Sequence, residues 1–245
     1  MKHEFVPNDI QRSQTQKSLD ARLKCVYDYK EDSKKNLLDL IDSAGIERIE
    51  IFAGKSLDEP KITIISPMKD YYESLLPKFR NRLNFHWVWE ASEENMYSTE
   101  GDASDETTLS KTLDDTIDDA SAHNQSSIVF LLETDKGQKF LFTGDAGRDA
   151  FNHVPQDLLG KFKGVTWMKV PHHGSKHNLD STIIRHVNPK TAYISTEKQG
   201  KYLNRSTVFA LKKNGTKVYS TSQNRSTIRH GAIKEREGWT KIDPM

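Results

Sequence analysis

The chain has 245 residues, of which 35% are hydrophobic and 29% are charged, and its formal net charge is +1. That length is enough for one substantial domain or two small ones with a buried core. The near-neutral charge excludes a strong overall attraction to nucleic acid or to an anionic membrane. No apolar run is long enough to span a bilayer, and the single cysteine, Cys25, excludes a disulfide framework within one chain. We therefore expect a cytoplasmic protein without a membrane partner.

The opening of the chain is polar. Residues 1–20 have no apolar period and predict a flexible leader, with the folded domain expected over residues 21–245. A helix that ends at Gly45 is expected next, followed by strands over residues 46–52 and 62–65. A further helix is then expected, beginning at Asp70 and interrupted at Pro77.

A long acidic segment covers about residues 91–121. It has few large apolar side chains, so burial cannot offset the entropy lost on ordering, and the composition predicts a mobile loop. A divalent-cation site is the alternative reading. Since no turn glycine stands at the spacing of a cation-binding loop, the pattern favours a solvated run of charges. The acidic residues of this segment are Glu93, Glu94, Glu100, Asp102, Asp105, Glu106, Asp114, Asp115, Asp118 and Asp119.

From Asn124 onward, strand patterns alternate with helix patterns. A hairpin through Lys136 and Gly137 is expected to join the first two strands. The alternation predicts an α/β protein with a mixed sheet flanked by helices. The expected strands are 127–132, 139–142, 165–170, 191–195, 217–221, 227–233 and 239–242, and the expected helices are 149–162 with a break near Pro155, 181–186 and 206–213.

Two of these strands end beside residues of metal-ligand type. Asp145 follows Phe142 through Thr143 and Gly144, and a carboxylate there could bridge two metal ions or cap the next helix. His172 and His173 follow the strand that ends at Val170. In extended backbone consecutive side chains point in opposite directions, so the two rings are not expected to share one role. One could bind a metal while the other packs, contacts substrate or orients a ligand.

Three stretches between Asn124 and Ser175 resemble the metallo-β-lactamase superfamily, in the branch that includes the DNA-internalisation competence proteins. They are an Asn-x-x-Ser-hydrophobic strand that begins at Asn124, a Thr-Gly-Asp strand end at Asp145, and a Pro-His-His-Gly-Ser strand end at residues 171–175. The resemblance covers roughly residues 42–245. It implies that the chain is part of an αββα sandwich with a metal site at one sheet edge.

The resemblance also implies roles for individual residues. Asp145 would be shared between two metal ions, usually zinc, and His172 rather than His173 is favoured as a ligand of the second ion. Ser175, Lys176 and Asn124 are candidate substrate contacts. The cofactor would be zinc, as a dinuclear pair, or manganese if the site is completed, and no metal if it is not. The substrate would be a nucleic acid or another phosphodiester.

One feature of the superfamily is missing from the sequence. The leading His-x-His-x-Asp-His motif, which supplies most metal ligands, does not occur among the nine histidines. The chain is therefore expected to be a truncated or split hydrolase that is inactive alone, a degenerate member without metal, or a half-sandwich carrying an unrelated module. A non-catalytic binding or scaffold module is the alternative function. A half-sandwich would need a partner chain or an oligomer to cover its exposed sheet.

Overall fold

The computed structural model describes residues 41–47, 49–79, 109, 113–196, 203–223, 227–229 and 237–245. By its internal packing the chain divides into two units, Met1–Ile51 with Tyr72–Asp102, and Phe52–Tyr71 with Ala103–Met245. The predicted leader, the start of the helix before Gly45 and most of the acidic segment lie outside the described residues. None of the described helices is long and apolar enough to cross a membrane.

Seven strands form one mixed sheet in which the order in space follows the order in sequence. Strands β1 to β4 are antiparallel, and β4 to β7 run parallel to one another. The predicted hairpin is confirmed as β3 and β4. The strands are β1 Ser56–Leu57, β2 Ile62–Ser66, β3 Val129–Glu133, β4 Lys139–Phe142, β5 Trp167–Lys169, β6 Thr191–Ile194 and β7 Lys217–Ser220.

Six helices lie wholly within the described residues, and four of them connect the parallel strands. The break predicted near Pro155 is confirmed, because α3 and α4 are separate there. Each connection from β4 to β7 steps in the same direction, so crossovers of the usual right-handed sense would place their helices on one face of the sheet. The helices are α1 Lys69–Leu75, α2 Ala122–Gln125, α3 Arg148–Asn152, α4 Gln156–Leu159, α5 Ser181–Val187 and α6 Arg205–Lys213.

The core lies on one face of this sheet. Five residues on adjacent strands are in register across it and are at most 1% exposed: Leu131, Leu141, Met168, Ala192 and Val218. Side chains alternate between the two faces of a strand, so their sequence neighbours point the other way. Truncating a buried leucine or methionine among them to alanine typically costs ~2–5 kcal/mol. The α/β class with a mixed sheet flanked by helices is therefore confirmed.

The opposite face carries a chain of aromatic contacts across the strands. Phe130 stacks on Phe142 with ring centroids 4.7 Å apart, and Phe142 lies 5.2 Å from Trp167. Trp167 lies 5.8 Å from Tyr193, which stacks on Tyr219 at 5.2 Å. Burial, together with the neighbouring Tyr219, raises the pKa of Tyr193 to about 12. Aromatic pairs across neighbouring strands hold the sheet together on this side.

One predicted strand is corrected by the structure. The strand expected over 46–52 is wrong, because the residues described there are irregular, with Ile46 and Ile49 each more than half exposed. The sheet instead ends at the short strand β1. The strands predicted over 227–233 and 239–242 are confirmed over Thr227–Arg229 (β8) and Trp239–Lys241 (β9), which pair with each other as a separate sheet.

Candidate functional site

The parallel strands β4 and β5 end at the same edge of the sheet, and the residues that follow them are joined by hydrogen bonds. The Thr143 hydroxyl donates to the Lys169 carbonyl over 2.7 Å, and the backbone N–H of His172 donates to the Gly144 carbonyl over 3.3 Å. Gly144 has a φ of +55°, and a Cβ there would lie 2.9 Å from the Ser127 Cβ. A side chain at Gly144 would therefore disturb the turn that brings the Asp145 and His172 segments together.

The two histidines do not lie on extended backbone, which corrects the geometric premise of the sequence analysis. They belong to the single turn Pro171–Gly174, where His172 and His173 have φ values of +42° and +56°. Such values are uncommon for residues other than glycine and cost about 1–3 kcal/mol each, so the surrounding contacts must hold the turn in place. The two rings nevertheless have different environments, because His172 is buried and His173 is partly exposed.

The partner of the buried histidine is Asp119, which lies within the predicted acidic segment. Its Oδ2 is 3.2 Å from Nδ1 of His172, and the two side chains are 0% and 6% exposed. Asn124 and Asn178 also donate from their Nδ2 atoms to this oxygen, over 2.7 and 3.1 Å. The other oxygen, Oδ1, accepts from the Ser121 backbone N–H over 2.9 Å.

These donors decide the charge of Asp119. Burial by itself raises the pKa of the carboxyl, but the hydrogen bonds from His172, Asn124, Ser121 and Asn178 together hold it below the ordinary value. Asp119 is thus a carboxylate at neutral pH, and Nδ1 of His172 is the protonated ring nitrogen that donates to it. Asn124 lies 3.5 Å from that nitrogen, and since both groups are donors we assign no hydrogen bond between them.

The other predicted site residues have identifiable partners. Nδ1 of His173 lies against the Ser195 carbonyl oxygen. Ser175 is 2% exposed and accepts the His177 backbone N–H through Oγ over 3.2 Å. The Lys176 carbonyl accepts from Arg148 over 3.0 Å. Roles in substrate binding for Ser175, Lys176 and Asn124 stay predictions, and Asn124 is the one that reaches the Asp119–His172 pair directly.

Asp145 has a cationic neighbour. Its Oδ1 lies 3.4 Å from the Lys169 ammonium, which also donates to the Gly144 carbonyl. Burial lowers the pKa of Lys169, and the negative charge of Asp145 opposes that shift. Asp145 does not act as the N-cap of α3, because that position is held by Gly147. The carboxylate is therefore held at the sheet edge by an ion pair rather than used as a helix cap.

The described residues do not fit a catalytic zinc centre by themselves. Nowhere in the described ranges do three or more His, Cys, Asp or Glu side chains form a group that could hold a metal ion. A catalytic zinc takes about three protein ligands. Asp145 and His172 supply two side chains of the right kind, and each is bonded to another side chain. We therefore derive no reaction step through a metal from this geometry.

Sequence reasoning missed three members of the site: Asp119, Asn178 and Lys169. Asp119 stood in the acidic segment and was interpreted as a solvated charge, whereas the structure buries it beside His172. Asn178 lies directly after the histidine-rich run and is fully buried. A usable signal for Asp119 was its residue type, because a metal-binding histidine usually donates its second ring N–H to a carboxylate, a backbone carbonyl or water.

The fold and this edge define a mixed α/β protein with a candidate site where two parallel strands end. No protein-family model matches the chain, and no solved structure matches it. The chain is similar to ComE operon protein 3 of Bacillus subtilis (strain 168), with 31% identity over 130 residues. The match covers 51% of this chain and 16% of that protein, so this chain corresponds to a small part of its relative.

Proposed function

We propose that this chain carries part of the centre of a metal-dependent phosphodiester hydrolase of the metallo-β-lactamase kind, and that it does not act alone. The observation that carries the proposal is the hydrogen bond between His172 Nδ1 and the buried carboxylate of Asp119. Metal-binding histidines in proteins almost always donate their second ring N–H to a carboxylate, carbonyl or water, which fixes the ring. With Nδ1 engaged in this way, Nε2 is the nitrogen that would bind a metal ion.

Asp145 supports the same proposal from the neighbouring strand. Its segment is bonded to the backbone of His172, and its carboxylate stands at the edge where β4 and β5 end. The chemistry that a zinc pair, or manganese in its place, would supply is an activated water for attack on phosphorus. The similarity to ComE operon protein 3 favours the competence branch of the superfamily. A nucleic acid as substrate is part of the proposal through the family resemblance of the three strand-end motifs.

The missing ligands would come from elsewhere. We propose that they are supplied by residues outside the described ranges, by a partner chain, or by a second copy that completes the sandwich. This chain's own residues would then orient the site: Asp119 holds the His172 ring, and Lys169 neutralises Asp145 until a metal ion takes its place. No hydrolysis by the isolated chain is expected.

A non-catalytic binding module is the second candidate. The observation in its favour is the ion pair between Asp145 and Lys169, which satisfies the carboxylate without a metal ion. A scaffold that has lost its metal would be expected to keep such internal pairs. Zinc and manganese uptake separates this candidate from the hydrolase proposal.

The test is metal binding by the purified chain, measured by titration calorimetry and by elemental analysis after dialysis. If residues of this chain outside the described ranges complete the ligand set, or a second copy does, we expect zinc or manganese uptake that is lost in Asp145→Ala and in His172→Ala. The matched control is Asp157→Ala, an exposed carboxylate in the first turn of α4. If the native chain takes up neither metal and Asp145→Ala changes nothing, the hydrolase proposal fails for this polypeptide. Uptake that survives both variants would place the metal elsewhere and fail the proposed site.

A further inference from the structure

The dipeptide Asp118-Asp119 contacts both strand-end segments of the candidate site. Asp119 contacts His172, as described above. Asp118 contacts the start of α3, the helix that follows the Asp145 loop, because its Oδ1 and Oδ2 accept the backbone N–H groups of Arg148 and Asp149, each over 2.9 Å. Two adjacent carboxylates thus meet two segments that are remote in sequence.

Asp118 supplies the N-terminal cap of α3 from outside the helix. The N-cap position of α3 is Gly147, which has no side chain to accept from the first turn. The first N–H groups of a helix need acceptors from outside it, and a side-chain oxygen usually supplies them. Here the oxygens come from Asp118, thirty residues earlier in the chain. The start of α3, and with it the Asp145 loop, is therefore tied to the dipeptide.

A buried glutamine links the Asp118 carboxylate to the backbone of Asp119. Nε2 of Gln125 donates to Oδ2 of Asp118 over 3.2 Å and to the Asp119 carbonyl over 2.6 Å. Oε1 of Gln125 accepts from the Ala150 backbone N–H over 2.9 Å. The amide lies so close to Gly147 that a Cβ there would come within 2.2 Å of Nε2. Gln125 thus ties both aspartates to the first turns of α3.

Arg148 adds hydrogen bonds between the start of α3, the acidic segment and the loop after the histidine turn. Its guanidinium is largely buried and donates to three backbone carbonyls, those of Leu113, Lys176 and Leu179. The Asp119 backbone N–H also donates to the His177 carbonyl over 3.1 Å. The end of the acidic segment is therefore bonded to the loop after the histidine turn as well as to α3.

We infer that Asp118 and Asp119 act as one positioning unit, in which Asp118 fixes the Asp145 loop and Asp119 fixes the His172 ring. The spacing of the two candidate metal-binding side chains is then set by one rigid dipeptide and its glutamine. The role of this unit at a metal site rests on the proposed function, but the coupling between Asp118 and the His172 ring does not. Loss of Asp118 should therefore disturb His172 through Asp119 and Gln125.

Nuclear magnetic resonance of ¹⁵N-histidine-labelled full-length chain tests this claim through the tautomer of His172. In the native chain we expect the proton on Nδ1. Asp119→Asn should shift the His172 ring signals most, Asp118→Asn should shift them in the same direction by less, and the double variant should show less than the sum. The control Asp157→Asn removes an exposed first-turn carboxylate of α4 and should leave the ring signals unchanged.

The inference is overturned if Asp118→Asn lowers stability but leaves the His172 signals where they are in the native chain. Should Asp118→Asn fail to fold, Gly147→Ala tests the same linkage by displacing Gln125, and unchanged His172 signals in that variant overturn it equally. These measurements need no metal. A chain that takes up no zinc or manganese but shows the coupled shifts would remove the hydrolase proposal and keep the positioning unit.

Discussion

Asp119 and His172 are 53 positions apart in the sequence, yet Oδ2 of one lies 3.2 Å from Nδ1 of the other in the protein interior. The aspartate side chain has no exposed surface, and that of the histidine is 6% exposed. Removing either side chain would cost free energy of unfolding, because the other would stay buried without its hydrogen-bond partner. The relationship therefore matters for stability as well as for the proposed site.

Removing the carboxylate should destabilise the fold strongly. In Asp119→Ala, the side chains of His172, Asn124 and Asn178 lose their common acceptor inside the protein. We expect a loss of about 3–5 kcal/mol in the free energy of unfolding, measured by urea denaturation at neutral pH. Asp157→Ala, at an exposed site, should change it by less than about 0.5 kcal/mol. A loss below about 1 kcal/mol in Asp119→Ala would contradict a tightly bonded carboxylate.

The lowered pKa of Asp119 gives stability a defined dependence on pH. The ordinary value is 3.8, and the folded value lies below it. As the pH falls below 3.8, the unfolded chain takes up the proton first, so the contribution of Asp119 is complete above that value and declines below it. Urea denaturation from about pH 7 to about pH 3 should show a stability difference between the native chain and Asp119→Asn that narrows on acidification. A difference that stayed constant over that range would argue against a depressed pKa.

Gly147 should tolerate no side chain, because the Gln125 amide occupies the space where a Cβ would lie. Gly147→Ala is expected to displace that amide and to cost about 1–3 kcal/mol, since its buried hydrogen bonds cannot all re-form. The matched control is Gly160→Ala. Gly160 has a φ of −64° and open space around it, so alanine there should be neutral or stabilising by up to about 1 kcal/mol. In thermal unfolding, Gly147→Ala should have a lower midpoint than Gly160→Ala, and equal midpoints would contradict this prediction.

Arg148→Lys should loosen the end of the acidic segment. A lysine ammonium cannot reproduce the planar set of donors that reaches the carbonyls of Leu113, Lys176 and Leu179. We expect faster limited proteolysis within residues 113–121 and a loss of about 2 kcal/mol. In the control Arg185→Lys, an exposed arginine on α5 changes and the cleavage rate should be that of the native chain. Unchanged cleavage in Arg148→Lys would show that the segment is held by other contacts.

The α/β class, the hairpin of β3 and β4, and the helix break at Pro155 were all predictable from local sequence. Each depends on neighbouring residues: alternating apolar positions, a Lys-Gly turn, and a proline without a backbone donor. The strand expected over residues 46–52 shows the limit of that reasoning. Its alternation fits a half-buried strand, but whether a strand finds a partner depends on chain that is distant in sequence.

The sequence by itself determined which residue types stand at the two strand ends, Asp145 on one and His172 with His173 on the other. Only the tertiary structure decided how they are used. It places Lys169 beside Asp145, gives both histidines a left-handed backbone conformation, and buries Asp119 although its neighbours in sequence are acidic. Composition predicts that a run of acidic residues stays in water. Hydrogen bonds to Asp119 from His172, Asn124, Ser121 and Asn178 overrule that rule at one position, because together they stabilise the charge that burial would otherwise exclude.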